Sequence, residues 1–378
     1  MAKTIVGLND PKAVKLFGGA LFKAGIPQSL YGKQLMAPAN TVREGAEMAN
    51  APIVVINDLT SQAGDTVSFD IAVQLTGDGV YGDDTLEGNE ESLDMYTDQI
   101  VINQIRHGVD GGGKMTQKRT VNNLRMIAKE KLAQWHGQKF DSVMATTLGG
   151  ARGVNQSLYI PMGATAPIKG ASPYVPYDAA HTAYGGSATS KATLTASDKL
   201  TLGVIDRVLT KIKATGGMAD GKLRLTPLDK GGRESYIMTI TAQQEQDLRN
   251  DVGTGGWLDI QKAATTNAGY QSNIFTGVLG EYRNVGFKQV PVGVEFNDYG
   301  AGQNVVAHRA VLMGRQAAAV AFGTSGSSNM RADWVEEEKD YGNRMGIAAG
   351  MVYGTKLPQF NGQVVNSYAI DTAVTALA

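Results

Sequence analysis

The run Gly108–Thr116 reads GVDGGGKMT, and the reading of the whole chain turns on it. Set against the phosphate-cradling pattern G-x-x-x-x-G-K-[ST], Gly108, Gly113 and Lys114 fall in register. The position that must offer a hydroxyl to magnesium is Met115, however, and Thr116 comes one residue late. A phosphate loop also follows a buried parallel strand, which reads as a continuous apolar run. The preceding QIVINQIRH (99–107) alternates polar and apolar instead, and Asp110 puts a carboxylate where a phosphate would lie. The glycines therefore read as a sharp passage from a hairpin strand into a helix, with Gly111, Gly112 and Gly113 as a hinge.

Downstream the period is helical. Val121, Leu124, Ala128, Leu132 and Trp135 step by three and four, and Phe140, Val143, Met144 and Leu148 extend the stripe. This predicts one helix over 116–148, capped by Thr116, stopped at Gly149-Gly150 and open to bending at Gly137. At 1.5 Å per residue it would be about 50 Å long, a strut and not an element of a small globular domain. Upstream, 66–75 (TVSFDIAVQL) and 95–107 (MYTDQIVINQIRH) alternate as strands, with GDGVYGDDTLEGNEESLD (77–94) between them. The expectation is a long hairpin with a wide, flexible tip.

That tip holds a second lure. Gly77, Gly79 and Gly82 spell G-x-G-x-x-G after a strand, but a dinucleotide site needs a helix N-terminus next. The residues beyond Gly82 instead bring Asp83, Asp84, Glu87, Glu90 and Glu91, which repel phosphate. With Asp94 and Asp98 they make seven carboxylates without one intervening base. No spacing among them matches a calcium loop, so no metal site is assigned. They read as a solvated face or a surface for a basic partner. Lys114, Lys118, Arg119, Arg125, Lys129 and Lys131 cluster at the head of the expected helix, with Glu130 the one acid among them. Tip and helix head are close in sequence but separated by a long strand. Either both are solvated faces, or Asp83, Asp84, Glu87, Glu90 and Glu91 meet Lys118, Arg119, Arg125 and Lys129 of another copy.

The rest of the chain frames this centre. Residues 1–60 read as an arm with a short helix at Pro11–Ala24 and a strand at PIVVIND. Residues 150–196 form an irregular insertion poor in charge, and a helix is expected over Ser197–Lys213. A strand (YIMTITA) and a polar helix (QQEQDLRND) come next, then alternating strands and helices through EYRNVGFKQVPVGVEF and NVVAHRAVLMGRQAAAVAFG. Catalysis finds little footing. His107, His136, His181 and His308 are scattered without metal-ligand spacing, and FGTSGSS is not a nucleophile elbow.

Bulk properties agree. Across 378 residues the net charge is −1, which leaves no global positive field for gripping nucleic acid. Glycine numbers 47, favouring turns and excursions over a helical bundle, and no cysteine is present for disulfides or thiolate metal sites. No signal peptide or apolar run of membrane-spanning length is read, so a soluble chain made inside the cell is expected.

Arm, long hairpin, single long helix and mixed α/β region together resemble the major capsid proteins of tailed phages with the Hong Kong 97-type α+β fold. The resemblance rests on GDDTLEGNEESL (82–93), MTQKRTVNNLRMIAKEKLAQW (115–135), FTGVLGEYRNVGF (275–287), AHRAVLMGRQAAAVAFG (307–323) and ADWVEEEKDYGNRMGIAAGMVYGTK (332–356), in that order. It runs from about residue 50 to residue 372. It implies an arm at 1–60 that reaches a neighbour and an extended loop at 61–113 that lies over the next subunit. It further implies a peripheral domain at 114–196 around the long helix, an axial domain at 197–310, and strands at 311–378 that complete the two. Catalytic residues and cofactors are not implied. The partners implied are other copies in hexamers and pentamers, a separate scaffolding protein, a portal, weakly held double-stranded DNA and a decoration protein. The implied location is the virion, assembled in the host cytoplasm. Two other readings stand beside it: a cytosolic nucleotide-dependent enzyme using the glycine loops, and a cargo-enclosing bacterial shell protein of related fold.

Overall fold

The computed structural model describes residues 29–38, 50–56, 64–72, 78–91, 95–120, 123–154, 160–215, 225–229, 232–251, 280–324 and 332–375. The helix expected at Pro11–Ala24 lies outside them.

The expected single helix is two. A six-residue helix, α2 (Lys114–Arg119), begins at Gly113 with no side-chain cap, and Thr120 beyond it is extended at φ −98°, ψ 138°. The spine helix α3 (Leu124–Gly149) starts afresh at Asn123, whose side chain accepts from the amides of Arg125 and Met126. Thr116 is thus not the cap. Asn is a strong N-cap, and the β-branched Thr120 and Val121 ahead of it disfavour helix. The 26 residues of α3 make it roughly 39 Å long, and it runs unbroken through Gly137 to Gly150 in the left-handed region (φ 63°). Its last turns are wholly buried, so tightly that a Cβ on Gly149 would stand 2.3 Å from the Val294 side chain.

α3 lies on a six-stranded sheet built from β1 (Met36–Pro38), β2 (Ile53–Ile56), β13 (Ala318–Phe322), β15 (Arg344–Lys356), β14 (Ala332–Lys339) and β5 (Asn103–Gly113). Leu132, Phe140, Met144 and Leu148 of the helix share one core with Ile53, Val320, Trp334, Ile347 and Met351. The rings of Phe140 and Tyr353 sit 5.5 Å apart. A short helix, α1 (Leu30–Gln34), is pinned to the spine by Asp141, which accepts from the Ser29 hydroxyl at 2.6 Å and from the Leu30 and Tyr31 amides. Within the expected arm over 1–60, the described residues 29–38 and 50–56 are part of the body, and the strand expected at PIVVIND is β2. Tyr31 and Leu35 are core residues, and β2 runs parallel between β1 and β13.

The second sheet has eight strands. Its order is β6 (Thr182–Tyr184), β18 (Ser367–Ala373), β12 (Val305–Met313), β8 (Glu234–Ile240), β10 (Val285–Gln289) and β9 (Glu281–Tyr282), with β11 (Val294–Tyr299) on β12 and β7 (Leu228–Asp229) on β8. Helix α4 (Leu202–Thr215) lays Val204, Ile205, Val208, Leu209 and Ile212 on Met238, Phe287, Leu312 and Ile370, the helical stripe that its spacing predicts. The polar helix α5 (Ala242–Arg249) carries a capping box of Thr241 and Gln244. Helices expected between 281 and 323 are absent among the described residues, where only strands and turns occur. The alanine-rich AAVAF is β13, buried along its whole length, so burial between neighbours overrides alanine's helical preference. A small hairpin, β16 (Gln359–Phe360) with β17 (Gln363–Val364), lies between β15 and β18.

Arg309 joins the two layers. From β12 its guanidinium grips Asp371 of β18 in a fork, with both contacts at 2.7 Å, and donates to the Gly149 carbonyl at the end of α3 at 2.8 Å. Asp371, fully buried, also accepts from the Tyr299 hydroxyl at 2.6 Å, and Tyr177 donates to the Leu148 carbonyl at 2.7 Å. A cation and a phenol thus meet carbonyls that the helix end leaves unsatisfied. Burial opposes the charge on Arg309, but Asp371 more than offsets it and its pKa rises. Asp371→Ala leaves that guanidinium buried without a counter-charge and is expected to cost about 3–5 kcal/mol. The paired change Arg309→Met with Asp371→Leu should recover much of the loss, read as urea midpoints of the unassembled chain.

Candidate assembly surfaces

Gly108 to Gly113 is strand, not loop. β5 pairs antiparallel with β15, Gly108 opposite Ala348, Asp110 opposite Gly346 and Gly113 opposite Arg344. No phosphate cradle exists there. The Asp110 carboxylate accepts from the Gly112 amide at 3.0 Å and pairs with Arg344, and these contacts lower its pKa. The glycines have local reasons. A Cβ on Gly111 would lie 2.9 Å from the Met345 carbonyl oxygen, and Gly112 takes φ +71° where the chain turns into α2. Gly111–Gly113 is thus the passage from strand to helix. The projecting ribbon leaves the body elsewhere, at Ile102 between β4 (Met95–Val101) and β5. Residues 103–113, expected in the extended loop, are held in the six-stranded sheet by this register, Gly111, Gly112 and Gly113 included.

The ribbon itself is β3 (Thr66–Ala72) against β4, from Thr66 opposite Val101 to Ala72 opposite Met95. Its base is fastened: Val67, Ile100 and Ile102 pack on Ala319 and Ala321 of β13. Asp98, one of the seven acids, is buried there, paired with Lys356 and accepting from the Gln359 amide at 3.1 Å. It belongs to the body and not to the acidic tip. The strands run on from there to Ala72 opposite Met95, with the Tyr96 ring still 5.7 Å from that of Phe360.

Between 78 and 91 every residue but Val80 is exposed, Asp83, Asp84, Glu87, Glu90 and Glu91 included. Hydrogen bonds from Asp84 N to Tyr81 O (3.3 Å) and from Asn89 N to Leu86 O (3.0 Å) fold it into two successive turns. Gly77 lies outside the described residues. Gly79 and Gly82 face open space, and among the described residues up to β4 no helix comes after them to receive a pyrophosphate.

At the head of the spine Lys118 and Arg119 are exposed on α2, and Lys129 is half-buried on α3. Arg125, one of the expected inter-subunit contacts, has its Nε 2.7 Å from Glu336 of the same chain, a carboxylate that also accepts from Trp334 at 2.8 Å. Beside these cations Met115, Met126 and Ile127 are exposed. Charge patterning does not single out those apolar residues, nor Leu86 and Tyr81 of the tip. A single leucine inside an acidic run is the available signal.

The histidines are structural. Desolvation lowers His136 to about 4, its Nε2 donating to the Ala349 carbonyl, and lowers His308 to about 4 beside the Thr241 hydroxyl. His107 stacks on Trp135 at 4.3 Å, and His181 meets Asp178 at 2.6 Å. Among the described residues no three His, Asp or Glu side chains gather as metal ligands, and no helix is long and apolar enough to cross a membrane.

A spine helix laid on one sheet, a two-stranded ribbon packed on that sheet at its base and a second sheet-and-helix layer define an α+β protein. A family model described as a phage capsid protein matches residues 5–376, and the chain belongs to that family. The capsid of Ralstonia phage GP4 is similar at 35% identity, covering 99% of both chains with a TM-score of 0.79. The major capsid protein of Pseudomonas phage KPP25 is 26% identical over 337 residues, 82% of this chain and 83% of its own. The capsid of cyanophage Pam1 shares the fold at 20% identity and TM-score 0.67, over 86% of this chain and 89% of its own. The fold is the Hong Kong 97 type, and the chain is a phage major capsid protein with a structural role in the virion.

Two measurements probe these surfaces and the histidines behind them. Asp98→Ala removes the clamp at the ribbon's base, so amide exchange in 66–72 and 95–101 should quicken at least tenfold while the two cores keep their protection. His136 and His308 take up protons on unfolding at their ordinary pKa of 6.5 but resist them to about 4 when folded. Their contribution is therefore complete above pH 6.5 and falls as pH drops from 6.5 towards 4, by roughly 3 kcal/mol each. The denaturation midpoint of the unassembled chain should decline across that window, less steeply in His308→Gln.

Proposed function

We propose that the chain polymerises into hexamers and pentamers of an icosahedral head around double-stranded DNA, each ribbon lying over the next subunit. The observation that carries this reading is the ribbon. It is anchored at its base by a buried carboxylate and a small apolar core, yet its ordered tip buries almost nothing. A segment so exposed completes its packing on a neighbour. A separate scaffolding protein directs closure, a portal occupies one vertex, and a decoration protein binds outside. Contact with DNA is weak and indifferent to sequence, because the chain's net charge is −1. Assembly takes place in the host cytoplasm.

Negative-stain microscopy of the purified chain, alone and with its scaffold, tests the reading. Rings or closed shells are expected. A monomer at all concentrations with the scaffold present, thermally stabilised by ATP, would instead revive the nucleotide-enzyme alternative.

A further inference from the structure

An open cavity of about 300 Å³ lies between α4, β6 and Tyr368 of β18, and none of its lining residues belongs to the ribbon or the spine helix. Ala188 and Val208 in its lining are buried, whereas Ser187, Thr189, Arg207 and Lys211 are exposed. Arg207 and Lys211 stand four residues apart on α4, so the two cations share one face of the helix. Among the described residues no carboxylate lines the cavity. The acids around it are engaged. Asp178 meets His181 at 2.6 Å, and Asp206 accepts from Arg283 at 2.8 Å and Tyr282 at 2.9 Å. Asp198 accepts from the Thr195 amide at 2.7 Å and its hydroxyl at 2.8 Å.

Neutral oxygens hold the two cations in place. The terminal nitrogens of Arg207 donate to the Tyr184 and Gly186 carbonyls, each at 2.5 Å. Lys211 donates to the Ala180 carbonyl at 3.1 Å and to the Tyr368 hydroxyl at 2.9 Å. A guanidinium carries five N–H groups, so two bonds fix the plane of Arg207 and leave donors over. The loop that it grips is itself closely packed: a Cβ on Gly185 would stand 2.1 Å from the Asp198 carbonyl oxygen.

We infer that this cavity binds a phosphate group, whose oxygens are received by Arg207, Lys211 and the Ser187 and Thr189 hydroxyls. Like charges at a four-residue spacing repel, and an anion seated between them turns that repulsion into attraction. Several acceptor oxygens on one tetrahedral group suit two cations flanked by hydroxyls, and a pre-oriented guanidinium loses little freedom on receiving them. Free phosphate and the phosphodiester of a nucleic acid present the same oxygens. The inference goes beyond assembly, and it stands or falls on the unassembled chain whether or not shells form.

Inorganic phosphate titrated into the unassembled full chain at fixed ionic strength should bind at one saturable site, followed by calorimetry. Arg207→Gln with Lys211→Gln should weaken that binding at least tenfold. Lys118→Gln with Arg119→Gln, at exposed cations outside the cavity, should leave it unchanged. If the α4 variant fails to fold, Ser187→Asp decides: it sets a carboxylate at the cavity without removing either cation and should weaken binding as much. A short DNA duplex separates the two sources. Displacement of phosphate by the duplex identifies the phosphodiester as the ligand, and phosphate that the duplex leaves bound assigns the cavity to the free ion. No saturable phosphate binding, equal binding by wild type and the cavity variants, or equal loss in the Lys118 and Arg119 variant would overturn the inference.

Discussion

The buried fork between Arg309 and Asp371 is the polar centre at which the second sheet meets the end of the spine helix. It ties β12 to β18 inside the second sheet and, through the Gly149 carbonyl, fastens the end of the spine helix to that sheet. The arrangement satisfies a charge that burial would otherwise penalise heavily and caps helical carbonyls that have no partner of their own. The ion pair spans two neighbouring strands, and the bond to Gly149 carries it to the helix end, giving that contact a direction that apolar packing lacks.

From that fixed body the ribbon departs on different terms. Lys356 and Asp98 hold its base, while its far end is ordered by local turns and lies in solvent. Rigidity is thus concentrated where the two layers meet, and unsatisfied surface is concentrated at the periphery. A shell subunit needs this division, because its angle to neighbours must vary while its interior does not. The acids of the tip and the cations Lys118 and Arg119 ahead of the spine are all exposed within one chain.

Much of this was legible in residue order. The alternation of 66–72 and 95–101, the stripe from Leu132 to Leu148 and the face of α4 all derive from side-chain period, since a helix or strand must turn its apolar residues one way. The false nucleotide loop was also legible, from Met115 in place of a hydroxyl. Less readable were features that depend on distant partners. The helix break at Thr120 looked like continuous periodicity until Asn123 emerged as the stronger start. The AAVAF segment looked helical because its burial depends on strands far away in sequence. Arg125 looked like a free surface cation because Glu336 lies 211 residues away.

Sequence by itself determined the kinds of element, the glycine-governed turn at Gly112, the acid-only tip and the near-neutral balance, because these are set by neighbours within a few residues or by sums over the chain. Tertiary structure alone decided that 103–113 belongs to the body and not to the loop. It also decided that Asp98 is a clamp and not part of the tip, and that Arg309 with Asp371 locks the layers. Each of those outcomes turns on a pairing across many residues, where backbone register and burial, not residue type, choose the partner.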